Sequence, residues 1–558
     1  MSSFPYLTVT AAVPLVGVLA ITALPKAKGA LAKPIALILS LITLGFAIAD
    51  AVVFKTGGPQ YQLTETYQWV PAFHIDYALG VDGVALVLIL MTTVLVPVVI
   101  LAAWNDAEEG DGSAPIGGQR SARAYFGLLL VLETMMVGVF EAEDIFLFYV
   151  LFEALLIPGY FLIGSFGGAR RSYAAVKFLL YNLLGGLLML AAVIGFYVVA
   201  DRSPIGGTFN FPALAHAVGD GQLTMAASTE RWLFLGFFIA FAIKAPLWPF
   251  HTWLPDAAGE ATPRTAVLLV GVLDKIGTFG MRRYCLQLFP SASHYFTPTV
   301  IVFAVISTVY GALVAIGQTD IKRLIAYTSV SHFGLITIGV FALTPRGQVG
   351  ATLYMVNHGL STGALFLLAG FMVKRRGSTS VDAYGGVQKV APVLAGTFLV
   401  AGLSSLALPG MSTFVSEFLV LVGTFEKYPV AAIIAITSIV LAAVYILWLY
   451  QRTMTGPVTE QVKGFKDLSF REIAAIGPLL ALIVVLGFVP SILTNFVNPA
   501  ITDQQTPPAV TAVHVSAPHS APRNKVPQKP DPSGHDLALS PLSLTPVAWP
   551  AQQIGSGR

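Results

Sequence analysis

Between Phe4 and Phe496 the chain returns, almost without pause, to apolar stretches of about twenty residues, the length that carries a helix across roughly 30 Å of hydrocarbon. Inside a bilayer every backbone donor and acceptor must be satisfied within a helix or a closed barrel. Barrel strands alternate apolar and polar residues, whereas these stretches are apolar throughout, so the spans must be helices. Only 11% of the residues are charged, against about a quarter in a soluble globular chain. The expected fold is an all-α membrane protein with about fourteen spans. They begin near residues 4, 34, 79, 122, 143, 173, 231, 262, 296, 321, 349, 391, 429 and 472.

The opening MSSFPYLTVT carries no positive charge ahead of its apolar run, so that run is expected to be retained as a span and to start from the outer side. Numbered from there, the loops on the cytoplasmic side hold most of the 32 Lys and Arg residues, for example Arg170 with Arg171, Lys322 with Arg323 and Lys374 to Arg376. The positive-inside rule then places both termini outside. The pair Arg282–Arg283 falls on the wrong side.

Several classes of function lack a basis in the residues. The net charge is +3 and the basic residues are scattered among short loops, so nucleic-acid binding is not expected. A single cysteine, Cys285, excludes an internal disulfide and a four-thiolate cluster from this chain alone. No glycine-rich nucleotide loop lies between a strand and a helix, and no HExxH is present. No cofactor or metal is therefore expected in this chain. After Asn498 the text turns to TPPAV and SAPHSAPRNKVPQKPDPSG, a composition expected to stay disordered through residue 558.

An ionisable group within a span costs about 2.5–3.5 kcal/mol or more unless it faces protein or water, so each is a functional candidate. Helix rise gives their depths. At about 1.5 Å per residue, Glu133 lies roughly 15 Å from Arg123, Glu153 about 14 Å from Asp144 and Lys244 about 20 Å from Arg231. By the same rise Lys275 stands about 17 Å from Arg264, His332 about 14 Å beyond Arg323, His358 about 18 Å beyond Arg346 and Glu417 about 15 Å before Lys427. All seven approach the midplane, the layout that lateral proton transfer requires. The blander alternatives are a lysine that snorkels to the interface, a protonated and inert acid, and an imidazole satisfied by a backbone carbonyl. Glu133 is equally compatible with being held by a neighbouring span's backbone. Asp274 precedes Lys275 directly and so points about 100° away, which does not make the two a pair.

In FAIKAPLWPFHTWLPDA, Phe241 to Ala257, Pro246 and Pro249 cannot donate to the carbonyls of Ala242 and Ala245, so the helix must break within a turn of Lys244. Exposed carbonyls and a buried ammonium are both tolerated beside a hydrated cavity. GLSSLALPGMSTFVSEF repeats the pattern: Pro409 removes the partner of Ser405, and Glu417 follows two turns on. The seventh and twelfth spans are thus discontinuous and five spans apart. That spacing suggests two five-helix repeats, spans 4–8 and 9–13, inverted relative to each other as in secondary transporters. The expected segments are 1–120 with the first three spans, 121–290 and 291–455 with the two repeats, 456–498 with the last span, and the tail from 499.

FAIKAPLWPFHTWLPDA, QTDIKRLIAYTSVSHFGL, VNHGLS and LPGMSTFVSEF together resemble the antiporter-like membrane subunits of respiratory complex I, the proton-pumping NADH:quinone oxidoreductase, and the related Mrp Na⁺/H⁺ antiporters. The likeness runs from about residue 70 to 455, and within the family the pattern is nearest to the M-type chain. The resemblance implies a fourteen-helix inverted-repeat fold with Glu153 on the fifth helix, Lys244 on the seventh, Lys275 on the eighth and Glu417 on the twelfth. It places lysine at the twelfth-helix position in L, N and Mrp chains and glutamate in M chains. It further implies a bacterial plasma membrane, neighbours of the L and N type, and FMN, iron–sulfur clusters and quinone in partner subunits. Asp274 and Glu133 have no match in the family pattern.

The expected function is proton translocation driven by remote quinone reduction, through Glu153, Lys244, Lys275, His332, His358 and Glu417, with Glu133 as a further candidate. The alternatives are a subunit of a multisubunit Na⁺/H⁺ antiporter and a structural spacer.

Overall fold

The computed structural model describes residues 4–104 and 121–505, all within one compact unit, Met1–Pro508. The chain is a multi-pass helical membrane protein. Among the described residues ten helices are long and apolar enough to cross a membrane, from Lys26–Val53 to Phe470–Phe488. The other expected crossings fall on shorter or interrupted pieces. These are Tyr6–Thr22, Ala227–Lys244 followed by Trp253–Glu260, the segmented stretch from Pro263 to Leu288, and Pro392–Ser405 followed by Ser412–Phe425.

The layering is decided by where polar residues can be tolerated. Ile321–Phe341 and Pro345–Arg376 each have 94% of their apolar window buried, against 39% for Arg171–Asp201 and 33% for Pro429–Met454. The outer helices expose Leu180, Leu184 and Leu187, or Val430, Ile433 and Val440. Lipid accepts such side chains, whereas His332 and His358 on the central helices gain protein partners.

The described residues are predominantly helical, as expected, with one addition: β1 (Gln62–Val70) and β2 (Ile75–Val81) form an antiparallel hairpin, with Tyr67 opposite Tyr77 and Thr66 opposite Ala78. The third apolar run therefore becomes helical at Gly83, where Asp82 accepts from the Ala85 N–H as an N-cap. The hairpin is pinned to the loop ahead of Glu153, since Glu143 N–H bonds the Ala78 carbonyl at 2.9 Å.

The helix Ser491–Gln505 runs past residue 498, so the tail does not start at 499; the expected disorder of 506–558 lies outside the described residues. Finally, Arg282 and Arg283 are 1% and 0% exposed. Arg282 lies 3.7 Å from Asp82, and Arg283 donates to the Phe140 carbonyl at 3.2 Å. They are interior residues rather than loop charges, so the positive-inside rule does not apply to them.

Two parts of the chain are built alike. Asp144 caps the Ile145–Ala154 helix and its backbone bridges Asn210, beyond the next long helix. Asp320 caps Ile321–Phe341 and bridges Ser380, again beyond the next long helix.

Candidate proton-carrying row

The first break ends the Ala227–Lys244 helix on Lys244 itself, the end at which the helix dipole favours a cation. Pro246 cannot reach the Ala242 carbonyl, but that acceptor is not left open as the sequence suggests. Leu247 N–H takes it at 2.9 Å, one residue further on, and the Trp253 indole N–H closes the Ile243 carbonyl at 2.8 Å. Lys244 is completely buried. Its Nζ donates to the Phe152 carbonyl at 3.4 Å and lies 4.1 Å from the Phe152 ring centre, a cation–π distance.

Glu153 follows Phe152 at a bend of its own, because Pro158 in FEALLIPG ends the Ile145–Ala154 helix and a second helix, Leu156–Phe166, continues. Its Oε1 is buried without a hydrogen-bond partner, and a Cβ at Gly186 would overlap the carboxylate. Among the described residues Glu153 and Lys244 stay beyond the 4.0 Å of a direct ion pair, but the ammonium rests on the carbonyl of the residue before Glu153, near enough to feel its charge through space.

The eighth span is wound loosely. Leu269–Leu273 and Met281–Cys285 are π-helical turns on either side of Lys275–Gly280, and Asp274 N–H reaches back to Leu269 at 3.2 Å. Such turns have no sequence signature and recur at functional sites. Within the first of them the Val270 carbonyl accepts from Lys275 Nζ, which also lies 2.7 Å from His358 Nδ1 and 4.9 Å from the Phe333 ring centre.

Beyond Lys275 the side chains connect. His358 and His332 stack edge to face with centres 5.1 Å apart, and Tyr354 lies 5.7 Å from the His332 ring. The Tyr354 hydroxyl donates to Glu417 Oε1. Tyr445 OH is 3.3 Å from His332 Nε2. The second break supports this arrangement much as the first supports Lys244. Leu408 N–H takes the Leu403 carbonyl at 3.0 Å, and Asn357 Nδ2 holds the new start of the helix through Ser412 O and Ser416 Oγ, both at 2.8 Å.

Lys275, His332, His358 and Glu417 are thus brought together, and Glu153 with Lys244 form a second group beside them. Glu133 is not joined to either: it is fully buried, and neither of its carboxylate oxygens has a hydrogen-bond partner among the described residues. Tyr354 and Tyr445 escaped the sequence reading because a tyrosine within an apolar helix looks like ordinary core. A cavity of about 840 Å³ opens at the start of the eighth span, lined among others by Glu260, Arg264, Asp320, Lys322 and Lys374.

The sequence model of a family described as NADH:quinone oxidoreductase/Mrp antiporter, transmembrane, matches residues 142–442, a stretch that holds the row from Glu153 to Glu417. The chain belongs to this family. Among its curated relatives, NADH-quinone oxidoreductase subunit M of Mycobacterium tuberculosis H37Rv is 53% identical over 525 residues, covering 91% of this chain and 95% of that one. Subunit M of Rhodobacter capsulatus is 38% identical, covering 84% and 90%. Among solved structures, a chain of respiratory complex I from Thermus thermophilus superposes with a TM-score of 0.79 at 29% identity, covering 89% of this chain and 98% of that chain. A chain of the Mrp complex from Dietzia has the same fold, with a TM-score of 0.74 at 21% identity and coverage of 89% and 51%.

Proposed function

We propose that this chain is a proton-translocating membrane subunit of a bacterial NADH:quinone oxidoreductase. One observation carries the reading: buried ionisable and hydroxyl side chains on several helices follow one another from Lys275 through His358, His332 and Tyr354 to Glu417, with Lys244 and Glu153 alongside. Groups that are so costly to bury, and that can each hold or pass a proton, form a conductor. The remaining unpartnered polar atoms, Glu153 Oε1, His358 Nε2, His332 Nδ1 and Asn357 Oδ1 among them, are the places where water completes it.

In this account Glu153 favours the charged form of Lys244, as an opposite charge nearby favours an ammonium. Neutralising or withdrawing that acid sends the proton on to Lys275, and from there to Glu417 for release. The driving force is quinone reduction in another subunit, so this chain forms no bond to NADH or quinone. FMN and the iron–sulfur clusters belong to partners, and L- and N-type chains flank it in the membrane.

The matching Asp144 and Asp320 bridges and the matching bonds at Leu247 and Leu408 support two inverted five-helix repeats within fourteen spans. Both termini then lie on the outer side of the plasma membrane. Replacing Lys244 by alanine should collapse NADH-driven proton uptake by inverted membrane vesicles while assembly is kept. Undiminished uptake per NADH would refute the proposal, and sodium-dependent uptake without quinone would favour an antiporter instead.

A further inference from the structure

Asp274 is a buried acid to which the row assigns no task. It is fully buried, and neither carboxylate oxygen has a hydrogen-bond partner among the described residues. Burying an unpaired carboxylate costs far more than an apolar side chain of that size would. Its direction follows from its neighbours on the helix. Gly277 is three residues on and so lies on the same face. A Cβ there would meet both Ala245 N and Phe241 O at 2.6 Å. That face is therefore pressed against the end of the Ala227–Lys244 helix. Lys275, about 100° round the axis, points elsewhere and reaches His358.

The face that holds Asp274 meets the half-helix ending on Lys244, and Lys275 adjoins it in the chain, so both ammonium groups bear on the acid electrostatically. Among the described residues Lys244 donates to the Phe152 carbonyl, at 3.4 Å, and not to Asp274.

We infer that Asp274 is the relay that carries the proton from Lys244 to Lys275, an inference that rests on the proton-translocating reading. Across an intervening water, which takes one proton as it gives another, the N–H bond of the Lys244 ammonium breaks with its electron pair left on nitrogen, and an O–H bond forms on the Asp274 carboxylate. That O–H bond then breaks as the Lys275 amine binds the proton, which restores the carboxylate. No electron is transferred, and no co-reactant is consumed. The neutral intermediate also avoids having two ammonium groups charged side by side.

The test uses inverted vesicles containing the whole complex, with Asp274→Asn, Asp274→Glu and Lys244→Ala compared at equal amounts of assembled enzyme. Asp274→Asn should lose proton uptake to the level of Lys244→Ala, and Asp274→Glu should keep it within about twofold, since the longer acid still bears a proton. Infrared difference spectra recorded during NADH turnover should contain a protonated-carboxyl band that Asp274→Asn lacks. An Asp274→Asn enzyme that pumps like the parent while Lys244→Ala does not would overturn the relay alone. Lost pumping with no such band in the parent would also overturn it, leaving Asp274 a fixed counter-charge. Full pumping by Lys244→Ala would instead overturn the reading beneath it.

Discussion

The two halves of the row handle buried charge differently. On the Lys244 side the acid and the base share no hydrogen bond: the ammonium rests on a carbonyl and an aromatic ring, and Glu153 acts through space. On the Glu417 side the groups touch, with Lys275 on His358 and Tyr354 on Glu417. A charge held by a field can be released by moving or neutralising the distant partner, and this suits a switch. A run of packed rings held by hydrogen bonds at either end keeps its geometry and suits passage. The two breaks differ in the same sense. Lys244 is the last residue of the half-helix before its break, where the dipole favours a cation, whereas Glu417 is the sixth residue of the half-helix after the other break, beyond the reach of its N-terminal dipole.

This contrast predicts which substitutions each half tolerates. The largest effect belongs to Glu153→Gln, which removes the field; proton uptake should fall to background. Glu153→Asp should retain most of it, because a field needs charge more than fine geometry. Equal loss in both variants would mean that the first half depends on contact as the second does. A smaller effect is expected from Tyr354→Phe, which deletes only the hydroxyl bonded to Glu417. A hydrogen bond to a charged group contributes about 1.5–3 kcal/mol, so uptake should slow by roughly 10- to 150-fold. A Tyr354→Phe enzyme with the parent rate would show that the proton passes Glu417 by another route. The smallest effect is expected for Glu133→Gln, which touches neither half. Uptake should stay within about twofold of the parent, near the scatter expected of a substitution outside any network, and a large loss would bring Glu133 into the row.

Much of this arrangement was legible in the sequence because a charge within an apolar run is hard to explain otherwise. Lys244, Lys275, His358 and Glu417 stood out on depth alone, and prolines marked both breaks. The family likeness follows from the same stretches. Other features were hidden for physical reasons. The hairpin QLTETYQWV and IDYALGV runs directly into an apolar helix, and its alternation is too short to stand clear of it. Proline showed that Ala242 would lose its usual donor, but only the fold shows Leu247 supplying another. Arg282 and Arg283 read as loop charges because their partners, Asp82 and the Phe140 carbonyl, are remote in sequence. Helical geometry turns Asp274 about 100° from Lys275, but the half-helix that its face meets through Gly277 is remote in sequence and could not be read there.

The central claim is that the two halves form one path. It is tested most directly by measuring proton uptake per NADH oxidised in vesicles with Lys244→Ala, with Glu417→Gln and with both. A single path predicts that the double variant is no worse than the more damaging single one, because a conductor cut once is already cut. Losses that add, each variant removing its own share of the uptake, would mean two separate routes and would contradict the account.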